Sequence, residues 1–420
     1  MERLRIAVIG AGISGLGAAW LLSRRHDVVL YEADSRLGGH ARTVDAPGPN
    51  GPIPVDTGFI VFNHVNYPHL CGLFDHLSVP TKKSDMTFAC SIDNGRVEYG
   101  CKNFNTMLAQ RANALKPMYW RMVRDILAFN SKALAVTRGN PDMTVGEMIS
   151  TLRLGSWFTH YYLLPITGAI WSSPREQMRN FPAMTMAQFF ENHGLLSVNG
   201  QHQWWTVDGG SREYVARMEK TMTAEVRCDT PVDAVWRRED GVTVKAKGAD
   251  QEFDKVIFAC HSDQALRLLD DPHPEERRML ERVQYKPNRA VLHTDPSHMP
   301  KRKACWSSWV YQAKSDAMEE QASVTYWMNT LQGIPNDTPL FVTLNPLYDI
   351  DPDTIIDEHA CDHPQFDLHA MAAQADLPTM QGRRGTYFCG AWTRHGFHED
   401  GLNSAVDVAE RIGVKPPWVS

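Results

Sequence analysis

The first 32 residues contain the feature that most constrains the fold, a glycine-rich segment between two strand-like segments. The apolar run at 4–9 predicts a buried strand, GAGISG follows at 10–15, and a helix is predicted over 15–25. A second predicted strand over 28–32 ends in Glu32, at about the 20-residue spacing of an acid that binds a ribose. The glycines allow a pyrophosphate to approach the backbone, and the helix N-terminus favours its negative charge. This βαβ unit therefore predicts a dinucleotide site. Further along the chain, the apolar pattern predicts strands over 226–235, 253–259 and 288–345 and amphipathic helices over 104–137 and 183–196.

Charge, cysteine usage and hydropathy limit the other functions of this chain. The net charge of -6 gives no support for nucleic-acid binding, and no nucleic-acid partner is expected. Eight scattered cysteines without a C-x-x-C spacing predict reduced thiols and a cytoplasmic location, with no metal site. Because no uncharged run reaches about 18 residues, any membrane contact is expected to be peripheral, at the inner face of the membrane.

A second glycine pair follows Glu32 within a few residues, in the segment RLGGHART at 36–43. Its arginines predict charge-assisted contacts to a pyrophosphate. The segment resembles the R-x-G-G-R-x-x-[ST] element of FAD-binding proteins in the amine oxidase, protoporphyrinogen oxidase and phytoene desaturase superfamily. His40 stands where that element usually has arginine.

Further segments resemble this superfamily in the same order along the chain. They are VDTGFI at 55–60, GGS at 209–211 followed by Tyr214, TPVDAV at 230–235, and a C-terminal pair at 390–392 and 400–402. The resemblance implies an α/β fold, with a Rossmann-like FAD-binding lobe and an inserted mixed α+β substrate-binding lobe. We expect the FAD-binding lobe to comprise 1–60, 200–275 and 376–420, and the substrate-binding lobe 61–199 and 276–375 with a helical segment.

The predicted cofactor is FAD, bound without a covalent link because no Gly-Cys-aromatic attachment element is evident. A helix starting near Gly401 would direct its N–H groups at the flavin and stabilise the reduced form. The predicted FAD-binding residues are Gly10, Ala11, Gly12, Ile13, Ser14, Gly15, Glu32, Ala33, Arg36, Gly38, Gly39, His40, Arg42, Thr57, Gly58, Phe59, Ile60, Val232, Gly390, Ala391, Trp392, Asp400, Gly401 and Leu402. Because a second dinucleotide motif for NAD(P)H was not found, we expect electrons to pass to oxygen or a quinone.

The substrate prediction depends on a narrower resemblance. The L-G-G-H sequence and the segments at 324–329 and 341–346 are similar to a bacterial group associated with cyclopropane-fatty-acid-synthase-like methyltransferases. That group includes a desaturase of methyl-branched membrane acyl chains in furan fatty acid formation. The resemblance implies dehydrogenation of a phospholipid acyl chain, methyl-branched or unsaturated, with hydride transfer to flavin N5. The candidate proton acceptors are His398, Glu399, His395 and His64.

Two segments bear on this substrate, and each has a simpler structural interpretation. Aromatic and methionine residues crowd 156–190, including Trp171, and either line an apolar tunnel or form the core of a helical lobe. Basic and apolar residues alternate over 110–127 and either contact anionic lipid or form a solvated helix face.

Two other functions are consistent with the same motifs. One is an amine oxidase acting on a small amine or polyamine, with Trp392 as an aromatic wall and Phe397 and His398 near the position that often holds tyrosine. The other is a flavin-binding partner protein without catalytic turnover, because a dinucleotide fold does not guarantee an enzyme.

Overall fold

The strands and helices are numbered in chain order in the computed structural model, which describes residues 2–171, 175–196, 202–238, 240–314 and 322–419. The strands are β1 (Arg5–Ile9), β2 (Asp27–Tyr31), β3 (Thr43–Ala46), β4 (Ile53–Asp56), β5 (Phe62–Asn63), β6 (Thr81–Ser84), β7 (Phe88–Ile92), β8 (Val97–Gly100), β9 (Trp204–Val207), β10 (Glu225–Arg227), β11 (Val232–Arg237), β12 (Val242–Ala246), β13 (Ala249–Phe253), β14 (Lys255–Phe258), β15 (Gln284–His293), β16 (Trp309–Ala313), β17 (Ala322–Trp327), β18 (Phe341–Leu344), β19 (Ile355–Gln365) and β20 (Thr386–Phe388). The α-helices are α1 (Ile13–Leu22), α2 (Pro68–His76), α3 (Phe104–Met107), α4 (Pro117–Gly139), α5 (Val145–Thr151), α6 (Ser156–Phe158), α7 (Leu164–Trp171), α8 (Arg175–Asn180), α9 (Ala183–Asn192), α10 (Arg212–Thr221), α11 (Ser262–Leu268), α12 (Pro274–Glu281), α13 (Met328–Leu331), α14 (Leu368–Met380) and α15 (His398–Arg411).

A five-stranded parallel sheet holds the predicted dinucleotide-binding unit at its centre. Its strand order is β10-β2-β1-β14-β20, so the first and last strands of the chain belong to one sheet. The strand predicted over 226–235 is instead two strands. They are separated at Asp229, where φ is 48°. The segment divides into two strands because β10 pairs in parallel with β2, whereas β11 joins the antiparallel sheet β11-β12-β13.

Helices α1 and α15 pack against each other above the parallel sheet through glycine positions. A Cβ atom on Gly17 would lie 2.8 Å from Leu402 Cδ1, and one on Gly401 would lie 2.8 Å from Ile13 Cγ2. A Cβ atom on Gly15 would lie only 1.7 Å from the Gly10 carbonyl oxygen. Glycine at 17 and 401 thus allows the two helices to approach closely, and glycine at 15 allows α1 to pack against the Gly10 turn.

A seven-stranded mixed sheet forms the floor of the second lobe. Its order is β19-β15-β18-β17-β16-β7-β8, in which β16 and β7 are parallel and the other neighbours are antiparallel. This confirms the strands predicted over 288–345. The helices predicted over 104–137 and 183–196 are present as α3, a 3-10 turn, α4 and α9, and α4 packs against α9.

The predicted lobe boundaries stay a prediction, and one strand crosses them. Strand β9 begins at Trp204, within the predicted FAD-binding lobe, but pairs with β5 and β6, which belong to the predicted substrate-binding lobe. None of the helices in the described ranges combines the length and the apolar character required to cross a bilayer.

Two acidic side chains, the half-buried Asp357 and the buried Asp56, connect the loops of the first lobe to the second. Asp357 on β19 accepts two hydrogen bonds from Arg42, at 2.6 and 3.0 Å. Asp56 at the end of β4 accepts from the backbone and side chain of Ser211, both at 2.8 Å, and from Gln332 Nε2 at 3.0 Å. Burial raises the pKa of Asp56 to about 6. These contacts fix the loops around the central cavity in position.

We expect the Arg237→Met substitution to destabilise the first lobe strongly. The Arg237 side chain is fully buried and forms a two-hydrogen-bond pair with Glu276, at 2.7 and 2.9 Å. Removing one member of such a pair costs about 3–5 kcal/mol of unfolding free energy, because the other charge is left buried. The neighbouring Arg238 pairs with Glu252 at the surface, so Arg238→Met is the matched control and should change little. Equal shifts in the urea midpoint of the two variants would contradict this expectation.

Candidate functional site

A cavity of about 990 Å³ lies between the carboxyl edge of the parallel sheet and the seven-stranded sheet. Most of the residues predicted to bind FAD line it. They are Gly10, Ala11, Gly12, Ile13, Ser14, Glu32, Ala33, Gly39, His40, Thr57, Gly58, Phe59, Ile60, Val232, Gly390, Ala391 and Trp392. Segments far apart in sequence therefore meet around one cavity, at the carboxyl ends of β1, β2, β14 and β20, which is where open α/β sheets bind ligands.

One end of the cavity has the chemistry of a nucleotide site. Helix α1 begins after Gly12, which provides no side-chain cap, and its first turn contains no acidic residue. A Cβ atom on Gly12 would meet nothing within 4 Å. The carboxylate of Glu32 is held beside this turn, since it accepts hydrogen bonds from the Ala11 N–H at 2.6 Å and the Asp34 N–H at 2.9 Å. An uncapped helix N-terminus beside a fixed carboxylate suits a pyrophosphate and a ribose.

Both predicted phosphate-binding arginines lie outside the cavity lining. Arg36 donates to the Gly39 carbonyl at 2.8 Å and more weakly to two neighbouring carbonyls. Arg42 donates to Asp357 and to Thr57 Oγ1. In this structure, Arg36 stabilises the glycine loop and Arg42 connects that loop to β19, in place of the predicted phosphate contacts. Gly15 and Gly38 are likewise packing positions outside the lining.

A second part of the cavity lining is formed by Thr57, Gly58, Phe59 and the start of α15. A Cβ atom on Gly58 would lie 2.1 Å from the His40 carbonyl oxygen, so glycine is required by this close approach. Helix α15 begins at His398, three residues before the predicted start at Gly401. Its N-terminus faces the cavity through Phe397 and His398.

Three of the six C-terminal residues predicted to contact FAD lie on α15 away from the cavity. Asp400 accepts a hydrogen bond from the Phe397 N–H at 2.9 Å and so caps the helix. Gly401 and Leu402 pack against α1. Asp400, Gly401 and Leu402 are not part of the cavity lining.

His398 is the predicted proton acceptor that lies deepest in the site. Its ring stacks on Phe59, with ring centroids 3.9 Å apart, and Nε2 lies 2.7 Å from the Tyr214 hydroxyl. Desolvation lowers the pKa of His398 to about 3. At neutral pH the imidazole is therefore uncharged and fixed in orientation, which makes it a weak base.

The other three candidate bases occupy different environments. His395 lines the cavity and is exposed. His64 is an exposed residue packed against Trp205, outside the cavity lining. The carboxylate of Glu399 accepts hydrogen bonds from the backbone N–H groups of His69 and Leu70, at 2.8 and 2.9 Å. Glu399 therefore connects α15 to the start of α2 and, like His64, lies outside the cavity lining.

Several cavity residues were missed by sequence reasoning. Ala259, Cys260 and His261 follow β14 and line the cavity, and they could have been found because the predicted strand at 253–259 ends at the same sheet edge. Tyr285 and His363 also line it. They come from strands of the other sheet, and no local motif marks them.

The remaining part of the cavity is apolar and is built across four neighbouring strands. Phe88, Trp309, Tyr326 and Val342 stand directly beside one another in the register of β7, β16, β17 and β18, and all four line the cavity. The opposite wall comes from the helical layer and includes Ile166, Ile170, Phe189 and Leu195. Among the described aromatic and methionine side chains of 156–190, Phe189 lines the cavity. Others form the helical core, including Phe158, Tyr162, Met178, Phe181, Met186 and Phe190, which favours the core interpretation. The side chain of Trp171 lies outside the described residues.

Three histidines at the cavity wall, His40, His193 and His363, are uncharged at neutral pH. Desolvation lowers the pKa of His193 and of His363 to about 4. Desolvation, together with the nearby His363, lowers the pKa of His40 to about 3. The described carboxylates of the lining are Glu32, Asp34, Asp233 and Asp362. Glu32 and Asp34 follow β2, Asp233 lies on β11, and the exposed Asp362 interacts with His261 beyond β14.

Comparison with known proteins agrees with this arrangement. Residues 13–413 match the family described as flavin containing amine oxidoreductase. A segment of 41 residues is 56% identical to protoporphyrinogen oxidase 2 of Arabidopsis thaliana, covering 10% of this chain and 8% of that protein. A putative flavin-containing monoamine oxidase, AofH of Mycobacterium tuberculosis, is 22% identical over 303 residues, which cover 66% of this chain and 61% of that protein. The chain thus spans less than two thirds of either relative.

Solved structures with the same fold come from proteins with different substrates. A fatty acid isomerase from P. acnes that produces CLA superposes with a TM-score of 0.69 at 15% identity, covering 98% of this chain and 99% of that one. Putrescine oxidase bound to putrescine superposes with a TM-score of 0.68 at 17% identity, with the same coverage. The fold is therefore the two-lobe amine-oxidase-like fold, and FAD is the cofactor that the matched family implies. The uncapped start of α1 and the fixed Glu32 carboxylate fit that cofactor.

We expect Glu32→Lys to abolish tight FAD binding, because it replaces a ribose acceptor by a cation. Losing two hydrogen bonds to a charged group weakens affinity by about 100-fold or more. The flavin absorbance per protein after purification measures this directly. Glu225→Lys is the matched control, since Glu225 lies on β10 of the same sheet and outside the cavity lining. A fully flavin-loaded Glu32→Lys protein would rule out the ribose assignment.

We expect Glu399→Gln to alter the pH dependence of stability and leave flavin reduction by substrate intact. Burial raises the pKa of Glu399 to about 7, so the folded state retains a proton that the unfolded chain releases near its ordinary pKa of 4.5. The resulting stabilisation is present in acid and is lost as the pH rises through about 7. The difference in melting temperature, wild type minus variant, should therefore fall from about pH 5 to about pH 8.

The exposed Glu410 on the same helix provides the control, as Glu410→Gln should leave the pH dependence unchanged. A Glu399→Gln protein that binds FAD but loses flavin reduction would restore Glu399 as a proton acceptor.

Proposed function

This chain belongs to the flavin-containing amine oxidoreductase family, and we propose that it is an FAD-dependent dehydrogenase of an apolar acyl chain. The proposed substrate is a methyl-branched or unsaturated fatty acyl group carried by a phospholipid. The proposed acceptor of the electrons is oxygen or a quinone. When bound, FAD supplies the two-electron oxidant for this reaction.

The observation that carries the proposal is the continuous apolar surface of Phe88, Trp309, Tyr326 and Val342 opposite Ile166 and Ile170. A hydrocarbon chain lying between the sheet and the helices would remove apolar surface from water on both sides. Each buried CH₂ group contributes about 0.8 kcal/mol. Binding energy would thus increase with chain length.

The charge distribution of the cavity also favours an apolar substrate over an amine. An ammonium group buried in a protein requires a paired charge or a dense set of acceptors. Among the described lining residues, the carboxylates are placed at the nucleotide end or beside His261, away from the apolar strands. The histidines nearest to the apolar part, His193 and His398, are neutral at neutral pH.

The residues at the junction of the two regions have separate roles in this proposal. Phe397 stacks on Phe189, with ring centroids 5.0 Å apart, and closes the apolar part against the start of α15. His398 orients Phe59 and Tyr214 through stacking and a hydrogen bond. Dehydrogenation also releases a proton, and we assign its acceptance to His395, because this histidine lines the cavity and is exposed to solvent.

We expect the bound flavin to be bleached anaerobically by phospholipids with methyl-branched or unsaturated chains, dispersed in detergent. Polyamines and primary amines should leave its absorbance unchanged. Bleaching by an amine alone would show an amine oxidase instead. A flavin that dithionite reduces but no lipid or amine reduces would indicate a flavin-binding protein without turnover on these substrates.

A pair of variants tests whether the apolar strands hold the substrate. Val342→Asp introduces a carboxylate into the floor of the cavity and should slow lipid-dependent bleaching by at least about tenfold, because the charge must stay hydrated. Val342→Leu keeps the apolar surface and should retain bleaching. Both variants should retain FAD, since Val342 lies on the seven-stranded sheet. Equal rates in the two variants would place the substrate elsewhere.

A further inference from the structure

We propose that Phe104, Leu115, Met118, Trp120 and Leu127 form a membrane-docking surface that binds anionic lipid bilayers. This inference rests on the proposed function in one respect, namely that an acyl-phospholipid substrate resides in a membrane. Its structural basis is separate from the cavity, because none of these five residues lines it.

Exposure of large apolar side chains is concentrated in this part of the molecule. The exposed fractions of Leu115, Phe104 and Leu127 are 86%, 62% and 54%, and those of Trp120 and Met118 are 42% and 38%. The other large exposed apolar side chains of the described ranges, Val65, Leu368 and Val419, are scattered along the sequence. Contiguous apolar exposure marks an interaction site, whereas single exposed residues do not.

Helix α4 has two apolar faces, and only one of them packs against the protein. Tyr119, Met122 and Phe129 are buried in the helical core. Trp120, Arg124 and Leu127 follow the i, i+4, i+7 spacing of one helix face, and all three are exposed. The exposed Leu115 and Met118 lie just before Trp120, at the end of the preceding 3-10 turn and in the first turn of α4.

Positive charge surrounds these apolar residues in a chain whose net charge is -6. The basic side chains within 102–132 are Lys102, Arg111, Lys116, Arg121, Arg124 and Lys132. Asp125 is the acidic residue of that segment; its buried carboxylate accepts a hydrogen bond from the Gly155 N–H at 2.7 Å and pairs with Arg124 at 3.2 Å and Arg121 at 3.7 Å. Lys102 pairs with Asp85 at 3.4 Å. With six basic side chains against one carboxylate, the segment 102–132 still has a net positive charge, which complements anionic headgroups.

The aromatic residues are oriented by the protein itself. Trp120 Nε1 donates to the Ala114 carbonyl at 2.8 Å, and its ring lies 6.4 Å from that of Phe104. Tryptophan with phenylalanine and leucine on one face, interleaved with lysine and arginine, is the pattern of helices that lie in the membrane interface. This pattern favours a bilayer over a protein partner as the occupant.

The test is cosedimentation of the FAD-loaded protein with vesicles of equal parts phosphatidylcholine and phosphatidylglycerol, and with vesicles of phosphatidylcholine alone. We expect binding to the mixed vesicles that salt weakens. Leu115→Ser should weaken this binding by about tenfold through lost apolar burial, and Arg124→Ala by about fivefold through lost attraction to the headgroups. The controls are Leu368→Ser and Arg238→Ala, which alter exposed residues outside the surface.

Flavin reduction by detergent-dispersed acyl lipid separates this inference from the proposed function. We expect Leu115→Ser and Arg124→Ala to retain the wild-type reduction rate in detergent while losing vesicle binding. If the wild-type protein stays in the supernatant with both vesicles, or if the controls lose binding as strongly as the variants, the docking surface is refuted and a protein partner becomes the alternative. Vesicle binding with these variant effects would support the docking surface even where no lipid reduces the flavin, in which case the proposed function alone fails.

Discussion

The close packing of α1 on α15 is the constraint on which the site depends. Gly15, Gly17 and Gly401 lack the Cβ atoms that would separate these helices from each other and from the sheet. The contact places the N-termini of both helices at the carboxyl edge of the parallel sheet. Two positive helix ends therefore face one cavity, one at the nucleotide end and one beside Phe59 and His398.

The same loops that form the nucleotide region also hold the second lobe. Arg42 is paired with Asp357, and Asp56 is bonded to Ser211 and Gln332. Arg36 and Arg42 near the glycine loop therefore bind protein groups, and the uncapped N-terminus of α1 lines the cavity. A bidentate arginine–carboxylate pair is specific in geometry, so this arrangement also fixes the orientation of one sheet relative to the other.

The cavity combines a polar nucleotide end with an apolar end, and His40, His193, His363 and His398 stay neutral because desolvation disfavours their charged form. Solved structures with this fold include a fatty acid isomerase and a putrescine oxidase, so the fold alone does not select the substrate. In the proposed function, side chains at the junction and on the seven-stranded sheet would select it, with FAD held at the nucleotide end. At the exterior, the proposed docking surface likewise combines two kinds of side chain, apolar and basic, around the start of α4.

The sequence by itself determined the parallel βαβ unit and its dinucleotide site, because these depend on local backbone geometry and glycine spacing, and its resemblance to a flavoprotein superfamily identified FAD as the cofactor. It also indicated that α4 has an exposed basic and apolar face. Tertiary structure alone decided the roles of Arg36, Arg42 and Glu399, since a charged side chain binds whichever partner the fold brings near it. Tertiary structure likewise aligned Phe88, Trp309, Tyr326 and Val342, because strand register across a sheet is set by long-range pairing that no local motif encodes.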